Sequence, residues 1–285
     1  MFNLKYVFVI LCVFFIKETN AQKDVVATSV KYMSTHELFV TANEHLDSNY
    51  NGVDTAYCLN GNEIIKVFIE YKSGIKIRVE GYYDNSQIFR VSSFKENLCH
   101  GIETQWYKNG QKEFQVGYEN GIEITPFITW YETGELESYS DYNQKKNTGI
   151  VKEWHKNGHL KSEIISVDST ELGCEERYYY DNGSLSTVQF NNMNKQKYLG
   201  YYKSGKLKFE GNIFNAIWNS IGKWQEWYEN GVLKREYFFE ENQPNIKTGT
   251  WSWWDEDGNL IKQEIYKNNE LLEEKKFVPI NKKTD

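Results

Sequence analysis

Gly222-Lys223-Trp224-Gln225-Glu226-Trp227-Tyr228-Glu229-Asn230-Gly231-Val232-Leu233-Lys234 holds the phrase that decides the fold: an aromatic residue, two variable positions, an Asn-like residue and glycine. The phrase occurs nine times, opening at Tyr57, Tyr82, Trp106, Trp130, Trp154, Tyr179, Tyr201, Trp227 and Trp254, with a period of about 24 residues. Self-similarity at such a period marks a repeat architecture in which each unit buries its apolar face against its neighbours. Asn, Asp, Ser or Thr followed by Gly suits a tight hairpin. Glycine adopts the positive φ the loop requires, and the short polar side chain bonds the local backbone. Ser86 is the one departure from glycine among the nine.

A three-residue loop, a type I turn closed by a glycine bulge, sets Trp227 against Leu233 and Glu226 against Lys234. It likewise sets Trp154 against Leu160, Trp130 against Leu136 and Glu153 against Lys161. An aromatic over an aliphatic on one face, with an ion pair on the other, is a stabilising cross-strand arrangement. A two-residue loop would put Trp227 against Lys234, so the three-residue loop is preferred. Each period then holds one hairpin, with a second turn at the opposite edge. Gly74 and Gly121 fall there, while Gly101, Gly149, Gly222 and Gly249 each precede a repeat aromatic by five residues. Longer connectors, from Ser166 to Cys174, Asn191 to Leu199 and Glu240 to Thr248, collect along that same edge.

The phrase G-x4-W-Y-x-N-G-x-L, nearly whole in Gly222–Leu233 and Gly149–Leu160, resembles the MORN-repeat variant of bacterial proteins labelled YwqK-type antitoxins. The resemblance covers about Thr55 to Asn268. It implies consecutive antiparallel hairpins, about nine, in one elongated twisted sheet of an all-β protein, and a role in binding rather than catalysis. It supplies no catalytic residues. An antitoxin for a cytoplasmic toxin should not carry an export signal.

Composition agrees with strands. Aromatics are 16% of the 285 residues while there are only 3 prolines, and strands favour aromatics and exclude proline. The formal charge of −7 argues against a phosphate-backbone binder, which needs a basic footprint, and against attraction to acidic lipids.

At the amino end, Lys5, an apolar run from Tyr6 to Ile16 and Thr19-Asn20-Ala21 before Gln22 form the layout of a cleaved secretory signal. The run is too short to cross a bilayer, which takes about 20 residues. Cys12 follows the bulky Leu11 inside that run, so lipidation is not expected. The chain therefore divides into a signal at 1–21, an amino-terminal segment at 22–54, a repeat array at 55–270 and a tail at 271–285. Ser34-Thr35-His36-Glu37 resembles a capping box that could start a short helix to about His45. The expected address is periplasmic, outer-surface or secreted in a Gram-negative bacterium, with no integral membrane segment after cleavage.

Cys58, Cys99 and Cys174 remain after the signal. Cys58 is placed near the main-turn edge, Cys99 near the opposite edge one hairpin on, and Cys174 three periods beyond. That is too far apart for a bridge, which needs Cα atoms within about 7 Å, so no intramolecular disulfide is expected.

His155 and His159 beside Glu153 form the sharpest polar group, yet no third zinc ligand is assured and Glu153 is already offered Lys161. No HExxH, GxSxG or nucleotide-binding fingerprint occurs. Glu113, Glu137 and Glu236 could imitate a glycosidase pair but sit where ion pairing explains them. No enzyme, cofactor or metal is expected. The expected function is that of an exported scaffold for a protein or cell-surface polymer. Two narrower readings stand beside it: sugar stacking on a stripe of Tyr82, Trp106, Trp130, Trp154, Tyr179, Tyr201, Trp227 and Trp254, and neutralisation of a basic exported toxin. The aromatics themselves form either a one-sided core or an open stripe.

Overall fold

A computed structural model of the chain describes residues 48–60, 63–143, 148–166, 174–191, 196–214 and 219–278, with two short strands at 12–14 and 30–32. Every strand pairing among the described residues is antiparallel, and no helix occurs among them. The all-β class of tandem hairpins is therefore the fold. The chain divides into two units, Met1–Ser140 and Asp141–Asp285.

The first unit runs β1 (Cys12–Phe14), β2 (Val30–Tyr32), β3 (Gly52–Asn60), β4 (Glu63–Lys72), β5 (Ile75–Tyr82), β6 (Ile88–Lys95), β7 (Leu98–Cys99), β8 (Gly101–Trp106), β9 (Lys112–Glu119), β10 (Ile122–Trp130) and β11 (Leu136–Asn143), the last crossing the unit boundary. The second runs β12 (Thr148–Trp154), β13 (Leu160–Ser166), β14 (Cys174–Tyr179), β15 (Leu185–Asn191), β16 (Gln196–Tyr201), β17 (Leu207–Ile213), β18 (Ser220–Trp227), β19 (Leu233–Phe239), β20 (Lys247–Trp254), β21 (Leu260–Lys267) and β22 (Glu270–Lys276). Within the stretch read as a signal, Val13 and Phe14 pair with Cys58 and Tyr57 of β3; the Ala21-Gln22 junction and the helix expected from Ser34 lie outside the described residues.

The three-residue loop is present. In the Trp227 copy the Gly231 amide donates to the Tyr228 carbonyl at 2.9 Å and the Tyr228 amide to the Val232 carbonyl at 2.9 Å. The glycine takes φ 91°, a type I turn closed by a glycine bulge. Ser86 takes the same left-handed conformation at φ 67°, at the steric cost a non-glycine residue carries there. Trp227 faces Leu233, Trp154 faces Leu160 and Trp130 faces Leu136.

Two expectations are corrected. A second bulge follows the turn, so Glu226 faces Arg235 rather than Lys234, and Glu153 faces Ser162 rather than Lys161. Lys161 nevertheless reaches Glu153 at 3.0 Å, and Arg235 pairs with Glu226. The Tyr57 copy departs altogether: β3 and β4 stay in unbroken register from Gly52 opposite Tyr71 to Asn60 opposite Glu63. The opposite edge uses two-residue turns with both central residues at positive φ, namely Ser73-Gly74, Glu96-Asn97, Asn120-Gly121 and Asn268-Asn269. Those torsions match the right-handed twist of the flanking strands.

In the first unit the core is mostly aliphatic. Ala56 and Cys58 on β3 face Val67 and Ile65 on β4, joined by Ile69, Val79, Phe89, Phe94, Cys99 and Val116. Cys58, two residues before the end of β3, and Cys99, just after the Glu96-Asn97 turn, stand at opposite edges as expected, and both are free thiols buried in this cluster. Burial pushes both thiols up to about 12, where they are protonated and unreactive. Into the same core the sheet carries Arg90, paired with Glu103, whose other oxygen accepts from the Ser92 hydroxyl at 2.5 Å.

The second unit builds its core from rings laid along the sheet, one per strand. Tyr198, Phe209, Trp224, Tyr237, Trp251 and Tyr266 on β16 to β21 follow one another with centroid separations of 5.1, 6.4, 6.2, 5.0 and 5.3 Å. Glycine makes room. A Cβ on Gly200 would stand 2.2 Å from the Phe209 ring, and one on Gly211 2.0 Å from that of Trp224, so each ring lies flat over the neighbouring backbone. The indole N–H groups of Trp224 and Trp251 donate to the Asn212 and Phe238 carbonyls, both at 3.1 Å. A single sheet can bury a tryptophan in this way, because adjacent rings and glycine backbone cover what a second layer would otherwise cover.

Lys76 is buried with its ammonium 4.0 Å above the Phe94 ring, and burial lowers its pKa to about 8. Because the unfolded lysine titrates near 10.5, the unfolded chain binds more protons between pH 8 and 10.5, and stability from this group rises with pH across that window. Replacing it with methionine should raise stability by about 1–3 kcal/mol at pH 7, the desolvation penalty less the ring contact. The gain should shrink to nothing by about pH 10.5. Urea midpoints of both proteins at pH 7 and pH 10 check this. Taking their difference cancels Cys58 and Cys99, whose raised pKa values act in the opposite sense; a gain that is flat with pH contradicts it.

Candidate binding surface at the repeat turns

The residue after each repeat aromatic, a tyrosine in six copies, sets how consecutive turns meet. In the first unit the Tyr83 hydroxyl donates to the Trp106 carbonyl and the Tyr107 hydroxyl to that of Trp130, each at 2.8 Å. In the second, Tyr180 donates to Tyr201, Tyr202 to Trp227 and Tyr228 to Trp254, at 2.8, 2.8 and 2.9 Å. His155 takes the tyrosine's place, its Nε2 lying 3.2 Å from the Tyr179 carbonyl.

The turn asparagine adds a second bond. Its side-chain oxygen accepts from the amide two residues on, while its Nδ2 donates to a carbonyl of the following turn. Asn109 reaches Glu132 at 2.7 Å, Asn157 reaches Asp181 at 2.6 Å and Asn230 reaches Glu256 at 2.9 Å. Ion pairs bridge some turns as well, Lys108 to Asp84 at 2.8 Å and Lys203 to Asp181 at 2.9 Å. These charges are largely exposed, so each pair contributes little. The last copy, opening at Trp254, has Asp255 in place of the tyrosine, and Asp255 closes its own turn through the Asn259 amide at 2.8 Å.

All eight aromatics of the expected stripe are half-buried rather than open. Tyr82, Trp130, Trp154, Tyr179, Tyr201, Trp227 and Trp254 each face an Ile or Leu across the hairpin, and Trp106 faces Lys112. The carbonyls of Trp106, Trp130, Tyr179, Tyr201, Trp227 and Trp254 serve the turn-to-turn bonds. Lys112 stands 5.3 Å over the Trp130 ring. The most buried tryptophans are instead Trp224 and Trp251, three residues ahead of the repeat aromatics, a position marked in the sequence only by a second tryptophan.

The other polar candidates are likewise engaged. His155 and His159 face each other through a backbone bond of 2.8 Å, but their rings turn towards the carbonyls of Tyr179 and Asp181. No group of three metal-ligating side chains occurs among the described residues. Glu236 pairs with Lys223 at 2.8 Å. Glu113 accepts from Gln105 at 2.7 Å, with burial raising its pKa, and Glu137 accepts from Thr129 at 3.3 Å. Cys174 is a free thiol raised by burial.

Four segments, residues 100–120, 147–167, 221–241 and 247–268, match the family model of the MORN repeat variant. The chain carries MORN repeat variants. Each matched segment holds one main turn with a strand on either side, and the copies around Tyr83, Tyr180 and Tyr202 close and join their turns in the same manner. MORN repeats form non-catalytic scaffolds that commonly bind protein. No curated protein matches the chain. Among solved structures, "Crystal Structure of TcdB2-TccC3-Cdc42" aligns at 9% identity over 76% of this chain and 15% of that one, with a TM-score of 0.18. "Crystal Structure of TcdB2-TccC3" aligns at 10% identity over 77% and 16%, with a TM-score of 0.19. The MORN-bearing chain therefore spans under a fifth of either. No helix among its described residues is long and apolar enough to cross a membrane.

Proposed function

We propose that this MORN-repeat chain is an exported, non-catalytic scaffold that holds a partner protein on its repeated sheet surface. The observation carrying this reading is that the turn motif spends its polar groups on joining one repeat to the next. The tyrosine hydroxyls, asparagine amides and His155 ring are committed to backbone carbonyls, which leaves a repeated surface and, among the described residues, no assembled catalytic group. Export rests on Lys5, the apolar run to Ile16 and the Ala21-Gln22 junction. Sugar stacking at Trp106, Trp130 and Trp154 has less support, since stacking needs open ring faces and these are half-buried.

The test is affinity capture with the full chain from envelope and secreted fractions, followed by titration of the recovered protein after purification. The reading expects a saturable complex, an exchange-protection footprint on the repeat strands and an unchanged covalent mass for the partner. A partner that the chain alters chemically, or saturable binding to polysaccharide with no protein recovered, contradicts it.

A further inference from the structure

The strands β3 and β22 have different edges. That of β22 is blunted: five of its seven residues are charged, and Leu272 bulges out between Leu271, opposite Tyr266, and Glu273, opposite Ile265. Neither device occurs in β3. Its nine residues hold unbroken register with β4 and include no proline or lysine. The one charge, Asp54, accepts from the Tyr50 hydroxyl at 2.6 Å. An uninterrupted and nearly uncharged edge recruits a further strand. In this chain Val13 and Phe14 of β1 pair antiparallel with Cys58 and Tyr57, and both belong to the stretch read as a signal.

We propose that the β3 edge is a strand-acceptor site, covered by the signal segment in the precursor and opened when that segment is removed. The open edge then takes an extended, uncharged, apolar segment of a partner protein, antiparallel to β3. The inference rests on the export reading above. Strand β2 cannot refill the gap without reversing, because β2 and β3 are both antiparallel to β1 and so run the same way. A second copy of β3 is a poorer occupant. Asp54, Ala56 and Cys58 share one face, and with all nine residues of two copies paired about a two-fold axis, Asp54 of each stands against Cys58 of the other. Ala56 and Cys58 are each 2% exposed, so a carboxylate would be set beside a buried apolar cluster. An uncharged donor brings no such charge. In strand addition main-chain bonds give the affinity, and β3 has amides to offer. Asn60 stands opposite Glu63 with two residues between them. The closing pair of a two-residue hairpin is hydrogen-bonded, so even-numbered residues of β3 bond to β4, while Thr55 and Tyr57 present their amides to the edge.

The test compares the uncleaved full chain with the form recovered from the envelope or secreted fraction of cells expressing it, the amino terminus of each fixed by intact mass. The probe is a fluorescent peptide of Leu11 to Phe15 with Cys12→Ser and lysines added at both ends. The expected result is saturable binding to the form beginning at Gln22, with slower exchange of the Thr55 and Tyr57 amides when the peptide is bound. The uncleaved chain, whose own segment competes, should bind roughly tenfold more weakly. Tyr57→Pro removes an outward amide but no bond to β4 and should weaken binding roughly fivefold; Tyr57→Ala keeps that amide and should bind as the wild type does. Where Tyr57→Pro fails to fold, the cleaved and uncleaved chains still decide. Equal binding by those two chains, no binding by the cleaved one, or a folded Tyr57→Pro that binds fully overturns the proposal. So does a cleaved chain that is dimeric with both amides protected before peptide is added, which gives the edge to a second copy. A signal segment still attached in those fractions overturns the export reading and the proposal with it, whereas a cleaved chain that ignores the peptide overturns the proposal alone.

Discussion

Replacing Glu103 with alanine is expected to cost about 3–5 kcal/mol of folding stability, enough to bring the first unit close to unfolding at room temperature. Glu103 is 1% exposed and Arg90 5%. The carboxylate pairs with Arg90 and accepts from Ser92; the guanidinium also stacks 5.1 Å over the Phe114 ring. Removing the acid strands a positive charge among Val79, Phe94 and Val116, where water cannot replace its partner. Urea denaturation reads the loss. An Arg90→Met/Glu103→Leu double variant should recover most of it, since apolar replacement of a buried pair is often neutral. A single variant within about 1 kcal/mol of wild type would mean the pair is solvated and the first unit's core is looser than described.

Adding a single carbon at Gly211 should have the next largest effect. The new Cβ would stand 2.0 to 2.4 Å from three atoms of the Trp224 indole, well inside contact distance, so the ring must leave its seat on β17. Displacement forfeits the indole bond to Asn212 and the contacts with Phe209 and Tyr237. Overpacking costs typically about 1–3 kcal/mol and the lost hydrogen bond about 1 kcal/mol more. Gly211→Ala should therefore lower stability by about 2–4 kcal/mol and shift tryptophan emission to the red as the rings open. Gly205→Ala is a useful contrast: its Cβ meets nothing within 4 Å, and only its φ of 82° opposes the change. Equal emission spectra for wild type and Gly211→Ala would show that the ring ladder does not rest on glycine.

Much of this architecture is legible in the amino-acid order. The Asn-Gly spacing announces the turns, and the pairing of Trp227 with Leu233 follows from loop length alone. The second bulge, which moves Glu226 from Lys234 to Arg235, is marked by no one residue type, since Lys161, Ser186, Lys208, Lys234 and Ile261 stand at it in successive copies. Nor is there a mark for the unbroken register of β3 and β4, where the Tyr57-Cys58-Leu59-Asn60 phrase imitates the others but carries cysteine in place of tyrosine. That position was the overlooked signal. Tyrosine recurs there at 83, 107, 131, 180, 202 and 228, and its recurrence beside the changing residue that follows it reflects the carbonyl it must reach one repeat on. The buried Arg90 and Glu103 have no sequence signature either, since they stand thirteen residues apart on the neighbouring strands β6 and β8 and charged residues at strand positions normally face water. Rings at Trp224 and Trp251 took the core because Gly211 and Phe238 backbone offered them a flat floor and an acceptor, which composition cannot reveal.

Tyrosine hydroxyls at 83, 107, 180, 202 and 228 fasten their turns to the next. Hydrogen exchange on a Tyr202→Phe variant tests this fastening most directly, because the change removes only the oxygen that donates to Trp227. Loss of one such bond is worth about 1 kcal/mol, so amides in the Tyr202–Lys206 and Tyr228–Val232 turns should exchange roughly fivefold faster. The Tyr180 turn, whose own hydroxyl still reaches Tyr201, should be unchanged. Exchange that is unaltered at both affected turns, or that rises equally at every turn of the second unit, would contradict fastening from one repeat to the next.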